Sequence, residues 1–390
     1  MALIEVQEYN QANDKQAESD TTAWIALHQT LGLGNAAFCQ LLTKFGSPTA
    51  IYSASISQLR ELVAEDLARK INAGINLDVI APTLDWLKKD NAHIVTLADA
   101  NYPKLLLEIS NPPAVLYAIG NLKWLNQPSI AVVGSRNATP QGEKNAEEFS
   151  ASLCNSGLCV ISGMALGIDG AAHRGALKSN GATIAVVGTG LDIVYPARHR
   201  ELAHKIAERC LIISEFPLGT PSKAQNFPRR NRLISGLSLG CLVVEANIDS
   251  GSLITARLAI EQGREVFAIP GSIHSPVTKG CHKLIKQGAK LVENTQDILE
   301  EIKNLLPASK LTNSQSTDSP TGLMLDSDPS LDIAPEANTV LDLMGYDAIN
   351  FDTLQRLTGL TTDALSAMLM LLELGSKITV LKGSQYQRLA

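Results

Sequence analysis

The sequence has few aromatic residues and no paired cysteines. Phe, Trp and Tyr make up 4% of the 390 residues, so any stacking of an aromatic ligand rests on few side chains. The six cysteines form no C-x-x-C motif, and several, such as Cys159 and Cys241, lie in apolar runs typical of buried strands. We therefore expect reduced core thiols rather than disulfides or metal ligands.

Long apolar segments are also missing. No run approaches the ~20 apolar residues of a membrane-spanning helix. The first residues do not show the basic and then apolar layout of a signal peptide. We therefore expect a cytoplasmic protein that makes no membrane contact.

Motifs of several enzyme classes do not occur. The phosphate-binding loop G-x-x-x-x-G-K-[ST] is absent, HExxH is absent, and GSRNAT follows the first strand candidate in place of a dinucleotide fingerprint. No residues have metal-ligand spacing, and no carboxylate pair has acid–base spacing. His173, in AAHRGAL, is expected to pack or hydrogen-bond within its helix. We predict no catalytic residue, no metal ion and no cofactor.

Positive charge is scarce overall, since 33 Lys and Arg are outnumbered by 39 Asp and Glu, for a net charge of −6. Its distribution is uneven. Residues 1–20 and 304–339 each carry a net charge of −4, which leaves +2 for the rest. Residues 196–232 hold eight Lys and Arg against three acidic residues. Such a local excess attracts phosphate groups even when the whole chain is acidic.

From residue 129 onward, short apolar runs alternate with helical stretches. Continuous apolar strands of this kind are typical of a parallel sheet that helices cover on both faces. We predict an α/β fold with an extended Rossmann-like parallel sheet. Two further extended segments, 93–97 and 114–120, precede the alternation. The seven strand candidates are 129–134, 158–163, 183–190, 211–215, 241–247, 265–271 and 290–293.

The flanking regions predict two small domains, a tail and a linker. Residues 21–90 read as short helices separated by glycine and proline. Residues 336–390 show helix, turn, helix and hairpin, which is a winged-helix layout. Composition predicts a disordered tail at 1–20 and a flexible linker at 307–335. The Rossmann-like domain then occupies residues 91–306.

Polar and glycine-rich segments follow the strand candidates at their carboxyl ends, where open parallel sheets bind ligands. Glycine lets a backbone approach a ligand, and N–H groups at a helix start favour anions. One such segment alone could be only a turn or a cap, but six together predict a shared anionic ligand. The residues selected on this ground are Gly134, Ser135, Ser162, Gly163, Gly188, Ser250, Gly251 and Ser252.

A basic cluster lies in the segment FPRRNRLISGLS, at the start of a predicted helix. Guanidinium groups match phosphate oxygens in a bidentate manner. Cations at a helix N-terminus are mildly disfavoured by the helix dipole, so an anionic partner would explain them. The candidate residues here are Phe227, Arg229, Arg230, Asn231 and Arg232.

Arg136 provides a second basic point, after the first strand candidate. Together with the cluster it suggests a sugar-phosphate backbone lying along the crevice. Two alternatives stay open. The arginines could pair with Glu215 or another internal carboxylate, and Phe227 could either stack on a base or anchor its loop in the core.

Taken in order, these stretches closely resemble the DprA/Smf family of bacterial DNA-processing proteins. The matching segments include VGSRNATPQG, SGMALGIDGAAHRGAL, SEFPLGTPSKAQNFPRRNRLISGLS and CLVVEANIDSGSLITARLAIEQGREVFAIPG. The N-terminal helices, with LGLGNAAFCQLLTKFGSP, look like the family's SAM-like or helix-hairpin-helix domain. The C-terminal region looks like its winged-helix domain.

The resemblance implies binding of single-stranded DNA and loading of a RecA-type recombinase onto it during natural transformation. It also implies a homodimer formed through the Rossmann-like domain. By motif matching, it implies that Arg136, Arg229, Arg230 and Arg232 contact DNA. We expect this binding to show little sequence preference.

Two other functions compete with this one. The crevice chemistry would allow a nucleotide or nucleoside-phosphate hydrolase, although the P-G-G-x-G-T-x-x-E run of the phosphoribohydrolase relatives is missing. The winged helix could read duplex DNA, but its candidate recognition helix, TTDALSAMLMLLELG, has no Arg or Lys. Protein contact is the better hypothesis for that helix.

Overall fold

The computed structural model describes residues 20–179, 181–305, 335–346, 348–381 and 383–389. The predicted tail at 1–20 and the predicted linker at 307–335 lie outside these residues, apart from Asp20 and Pro335 at their edges. The domain limits at residues 90 and 306 stay predictions.

The N-terminal region consists of short helices that local sequence starts and stops. The Ser47 hydroxyl accepts a hydrogen bond from the Ala50 N–H at one helix start, and Ser55 with Gln58 forms a capping box at the next. The helices are α1 (20–28), α2 (Asn35–Phe45), α3 (Pro48–Ser53), α4 (Ile56–Arg60), α5 (Glu65–Asn72) and α6 (Leu77–Trp86).

A nine-stranded sheet forms the centre of the protein. Its strands are β1 (Ala92–Thr96), β2 (Val115–Gly120), β3 (Ser129–Val133), β4 (Cys159–Ser162), β5 (Ala182–Val186), β6 (Leu211–Ser214), β7 (Gly240–Val243), β8 (Glu265–Ala268) and β9 (Lys290–Leu291). The strand order is β1-β2-β6-β5-β4-β3-β7-β8-β9, and the seven strands from β6 to β9 pair in parallel. The predicted parallel sheet is confirmed, with all seven of its strands.

Helices cover both faces of this sheet. The helices that follow the first strand are α7 (Lys104–Leu107), α8 (Pro140–Asn155), α9 (Ile168–Lys178), α10 (Arg200–Arg209), α11 (Asn226–Gly236), α12 (Gly251–Glu261), α13 (Lys279–Lys286) and α14 (Thr295–Ile302). Alternate residues of β3 point to opposite cores: Ile130 and Val132 pack on the side of α8 and α9, whereas Ala131 and Val133 pack on the side of α11, α12 and α13.

The two extended segments before the alternation form the antiparallel part of the sheet. β1 pairs antiparallel with β2, and β2 pairs antiparallel with β6. In β2, Val115 and Tyr117 pack with the N-terminal helices, while Leu116 and Ala118 pack in a core of the main sheet. The sequence did not predict this orientation, because a strand buried on both faces shows the same continuous apolar pattern in either direction.

The order of the strands reverses at β3. The chain passes from β3 outward to β4, β5 and β6 on one side, then returns to β7 on the other side. In open α/β sheets the helices diverge at such a reversal and leave a crevice at the carboxyl ends of the strands. The crevice between β3 and β7 is therefore where a ligand is expected.

The C-terminal region has the predicted winged-helix layout. Its strands form a separate sheet in the order β10-β12-β11. Leu354, Leu365 and Leu369 are among the residues of its own core. Met370 and Leu374 are exposed on its longest helix. The elements are α15 (Pro335–Met344), β10 (Ile349–Asn350), α16 (Phe351–Thr358), α17 (Thr362–Leu374), β11 (Ile378–Leu381) and β12 (Gln385–Arg388).

No single helix among the described residues is long and apolar enough to cross a membrane; only α16 and α17 taken together reach that length and composition, and they are bent by 109°. The six cysteines are free thiols. Five are buried as expected, and Cys39 is half-buried.

Close packing of α8 on α9 depends on Gly175. A Cβ at Gly175 would lie 2.1 Å from the carbonyl oxygen of Glu147 in α8. We expect Gly175→Ala to lower the free energy of unfolding by about 2 kcal/mol, because the backbone of α8 must move to accept the methyl group. Gly34→Ala is the control, since Gly34 is exposed and a Cβ there meets nothing within 4 Å. Urea unfolding followed by circular dichroism measures both, and equal losses would contradict the packing argument.

His173 predicts a pH dependence of stability. It is buried, and its Nδ1 lies 2.7 Å from the Thr183 hydroxyl, which itself donates to the Val160 carbonyl oxygen. Burial lowers the pKa of His173 to about 3. Below about pH 6.5 the unfolded state therefore binds a proton that the folded state does not, so stability falls as the pH is lowered.

Between pH 7 and pH 5 we expect the wild type to lose about 2 kcal/mol more than His173→Asn, since one pH unit of such linkage is worth about 1.4 kcal/mol. Urea unfolding at both pH values provides the measurement. Parallel losses in the two proteins would show that His173 is protonated in the folded state as readily as in the unfolded state.

Candidate nucleic-acid interface

A crevice of about 570 Å³ lies at the carboxyl ends of the strands, where the strand order reverses. Its lining comes from the loop after β3, from α11 and from the start of α12. The predicted residues that line it are Gly134, Ser135, Arg136, Phe227, Arg230, Asn231, Ser250, Gly251 and Ser252.

A smaller cavity of about 60 Å³ shares Arg136, Phe227 and Arg230 with the crevice. Its lining adds the predicted Gly163 and Gly188, which follow β4 and β5. The structure therefore brings together most of the predicted site. Three predicted residues lie outside both linings: Ser162, Arg229 and Arg232.

The N-terminus of α12 is open to the crevice. Ser250 caps the helix by accepting a hydrogen bond from the Ser252 N–H, and a Cβ at Gly251 would meet nothing within 4 Å. The first N–H groups of a helix carry partial positive charge and favour an anion. This end of the crevice is therefore suited to a phosphate.

The N-terminus of α8 is already occupied by a carboxylate of the protein. Glu245 accepts hydrogen bonds from the Thr139 N–H at 2.9 Å and from the Thr139 hydroxyl at 2.6 Å. A Cβ at Gly142 would lie 2.3 Å from the Glu245 carboxyl carbon. Burial raises the pKa of Glu245, although the hydrogen bonds from Thr139 act in the opposite direction. An external anion has no room there.

An exposed cation lies over an aromatic ring in the crevice. The guanidinium carbon of Arg136 is 5.3 Å from the centroid of the half-buried Phe227 ring. Gly188 leaves room for this ring, since a Cβ there would come within 3.3 Å of it. A base on the ring and a phosphate on the guanidinium are the ligand groups that this pair is suited to.

Arg230 lies beneath the crevice and is 4% exposed. One of its Nη atoms donates to the Val186 carbonyl oxygen at 2.8 Å. Its Nε–H is buried and has no hydrogen-bond partner within the described part of the chain. Burial lowers the pKa of Arg230 to about 10, and the nearby Asp169 acts in the opposite direction. The side chain stays a cation at neutral pH.

Gly163 and Asp169 enclose this guanidinium. A Cβ at Gly163 would lie 1.7 Å from the Arg230 Nη1, so the cation needs glycine at this position. Asp169 accepts hydrogen bonds from the N–H groups of Gly163 and Ala165 at 3.2 and 3.3 Å. Burial raises the pKa of Asp169, and Arg230 acts against that shift.

The other two arginines of the cluster point elsewhere. Arg232 forms an ion pair with the buried Glu215 and donates to the Asn111 carbonyl oxygen at 2.5 Å. Arg229 is exposed, with its guanidinium carbon 5.1 Å from the Phe216 ring centroid. Residues in a helix are turned by about 100° per position, so three arginines in four positions cannot share one face. Glu215, the alternative partner considered from the sequence, is the ion-pair partner of Arg232 and also, at 3.9 Å, of Arg229.

Burial raises the pKa of Glu215, although Arg232 beside it acts in the opposite direction.

Ser162 is buried, and its hydroxyl donates to the Val132 carbonyl oxygen at 2.6 Å. Contact of Ser162, Arg229 and Arg232, and of the predicted crevice residues, with DNA stays a prediction.

The selection from sequence missed Asp169, Asn247 and Tyr195, which line the two cavities. Asn247 lies shortly after β7 and Asp169 shortly after β4, so the rule of strand ends could have included them. Tyr195 lies farther along the loop after β5, where the sequence has no periodic pattern. Only the fold shows that it reaches the site.

The burial of Arg230 predicts an asymmetry between two arginines of the site. We expect Arg230→Ala to lower the free energy of unfolding by about 2–4 kcal/mol, because it opens a cavity and leaves the Val186 carbonyl oxygen without a donor. The exposed Arg136→Ala should change it by less than about 0.5 kcal/mol. Urea unfolding of both variants tests this. Equal effects would contradict the buried position of Arg230.

Family models and solved structures agree on the relatives of this chain. The model described as DNA recombination-mediator protein A matches residues 93–303, and that of the DprA winged helix domain matches residues 326–384. The chain is similar to Protein Smf of Escherichia coli (strain K12), at 48% identity over 225 residues. The match covers 57% of this chain and 60% of that protein, less than two thirds of the relative's length.

The fold is similar to the X-ray structure of DNA processing protein A from Streptococcus pneumoniae, with a TM-score of 0.65, 37% identity, and coverage of 72% of this chain and 97% of that one. It is also similar to DNA processing protein A from Helicobacter pylori, with a TM-score of 0.50, 29% identity, and coverage of 55% and 98%. The Helicobacter pylori structure concerns a unique single-stranded DNA binding mode of that protein.

Proposed function

The chain belongs to the DNA recombination-mediator protein A family, and on that premise we propose that it binds single-stranded DNA in the crevice at the carboxyl ends of its sheet. One observation carries the proposal. The exposed guanidinium of Arg136, the ring of Phe227 and the open N-terminus of α12 line the same crevice.

Each of these groups suits one part of a nucleotide. The α12 N-terminus and Arg136 bind phosphate oxygens, and the buried guanidinium of Arg230 adds positive charge below them. Phe227 stacks on a base, an interaction that every base can make. The binding therefore has little sequence preference and requires bases that are not paired.

We also propose that the protein loads a RecA-type recombinase onto this DNA during natural transformation, and that it acts as a homodimer through the Rossmann-like domain in the cytoplasm. Family membership supports these proposals. The winged helix then contacts a protein rather than duplex DNA, since α17 carries no Arg or Lys.

We propose that the site binds without catalysing a reaction. The crevice lining includes two carboxylates: the buried Asp169, which accepts hydrogen bonds from two backbone N–H groups, and the exposed Asp249. Membership of a family of recombination mediators supports binding without catalysis. Incubation with nucleoside monophosphates tests this. Release of free base would instead support a nucleoside-phosphate hydrolase.

Salt dependence of binding tests the crevice. Each phosphate contact with a cation adds about 0.7 to the slope of log K against log salt for single strands. We expect Arg136→Ala to reduce that slope by about this amount and to weaken binding of an oligo-dT by about 10-fold. Fluorescence anisotropy across a salt series gives both values.

Lys88→Ala is the matched control, because Lys88 is an exposed cation on the helical N-terminal region, away from the crevice lining. It should leave both slope and affinity unchanged. Equal effects of the two variants would show that binding depends on overall charge and not on this crevice.

A further inference from the structure

Tyr195 is an exposed aromatic residue beside the site. Tyr195 is 48% exposed. Aromatic residues make up only 4% of the chain, so few side chains could stack on a base. It lines the smaller cavity together with Phe227, Gly188 and Arg230. The ring centroids of Tyr195 and Phe227 are 5.9 Å apart, and the ring planes are inclined by 40°.

The loop that carries Tyr195 is held by hydrogen bonds in the residues just before it. The Thr189 hydroxyl donates to the Ile193 carbonyl oxygen at 2.9 Å, and the Gly190 N–H donates to the Thr220 carbonyl oxygen at 2.9 Å. Asp192 accepts a hydrogen bond from the Gly219 N–H at 2.9 Å. The backbone that leads to the exposed ring is therefore held in place before any ligand arrives, which reduces the entropy cost of binding.

We propose that Tyr195 is a second base-stacking residue, which takes an unpaired nucleobase next to the one that stacks on Phe227. This inference rests on the proposed binding of single-stranded DNA and extends its site from the crevice toward the end of β5. Tyr195 supplies an apolar ring face and a polar hydroxyl edge, a combination suited to a half-hydrated base.

The geometry of the two rings selects single strands. Neighbouring bases in a duplex lie about 3.4 Å apart along each strand and nearly parallel. The Tyr195 and Phe227 ring centroids are 5.9 Å apart and their planes are inclined by 40°. Bases that stack on these two rings are therefore inclined to each other and unstacked. A paired strand cannot adopt this arrangement without losing its stacking, whereas a single strand can.

The test compares two DNA ligands and three Tyr195 variants. The ligands are an oligo-dT and the same oligonucleotide with abasic sites, which keeps the phosphates and removes the bases. We expect Tyr195→Ala to weaken oligo-dT binding by about 10-fold with an unchanged salt slope, and Tyr195→Phe to bind as the wild type does. On the abasic ligand, wild type and Tyr195→Ala should bind equally.

Tyr346→Ala is the matched control, since Tyr346 is a similarly exposed tyrosine, 54%, in the winged helix. It should bind oligo-dT as the wild type does. Tyr195→Trp gives a direct signal: its fluorescence should be quenched by oligo-dT and not by the abasic ligand. Thermal melting of each variant confirms that it folds.

Three results would overturn the inference while the proposed function stands: wild-type affinity of Tyr195→Ala for oligo-dT, an equal loss on the abasic ligand, or a Tyr195→Phe defect as large as that of Tyr195→Ala. The last would mean that the hydroxyl contacts phosphate. Failure of the wild type itself to bind oligo-dT would overturn the proposed function, and this inference with it.

Discussion

The guanidinium of Arg230, buried between the ends of β4 and β5, constrains the whole candidate site. It donates to the Val186 carbonyl oxygen and leaves no room for a side chain at Gly163. Because it points inward, it fixes the rotation of α11 about its axis. Phe227, three positions earlier, then lies on the same side of the helix and faces the crevice. Arg232, two positions later, is turned away toward Glu215.

Much of the fold could be predicted because buried parallel strands are continuous apolar runs, and the place of the crevice could be predicted because open parallel sheets have crevices at the carboxyl ends of their strands. The separate roles of the arginines could not. The sequence gives their spacing on a helix, but the rotation of that helix depends on tertiary contacts of Arg230. The same holds for Tyr195, whose position depends on hydrogen bonds between the loop after β5 and the loop after β6.

The N-termini of α8 and α12, which lie beside β3, explain why the sequence has no dinucleotide fingerprint. In that fingerprint, glycines after the first strand let a pyrophosphate reach the first helix. Here the corresponding helix, α8, is capped by Thr139, which donates two hydrogen bonds to Glu245 after the neighbouring strand, so Gly142 accommodates a carboxylate of the protein itself. The open helix N-terminus belongs to α12, after β7. The helix N-terminus with room for an anion thus lies on the other side of the strand reversal.

The double burial of β2 has a consequence for the architecture as a whole. One side of this strand belongs to the core of the N-terminal helices and the other to the core of the sheet. The N-terminal helices therefore cover one face of the antiparallel part of the sheet. A chain shortened to begin after α6 would lose these helices and expose the apolar side chains of Val115 and Tyr117 to water. Loss of the N-terminal helices would therefore make the protein prone to aggregation, although no residue of the crevice had changed.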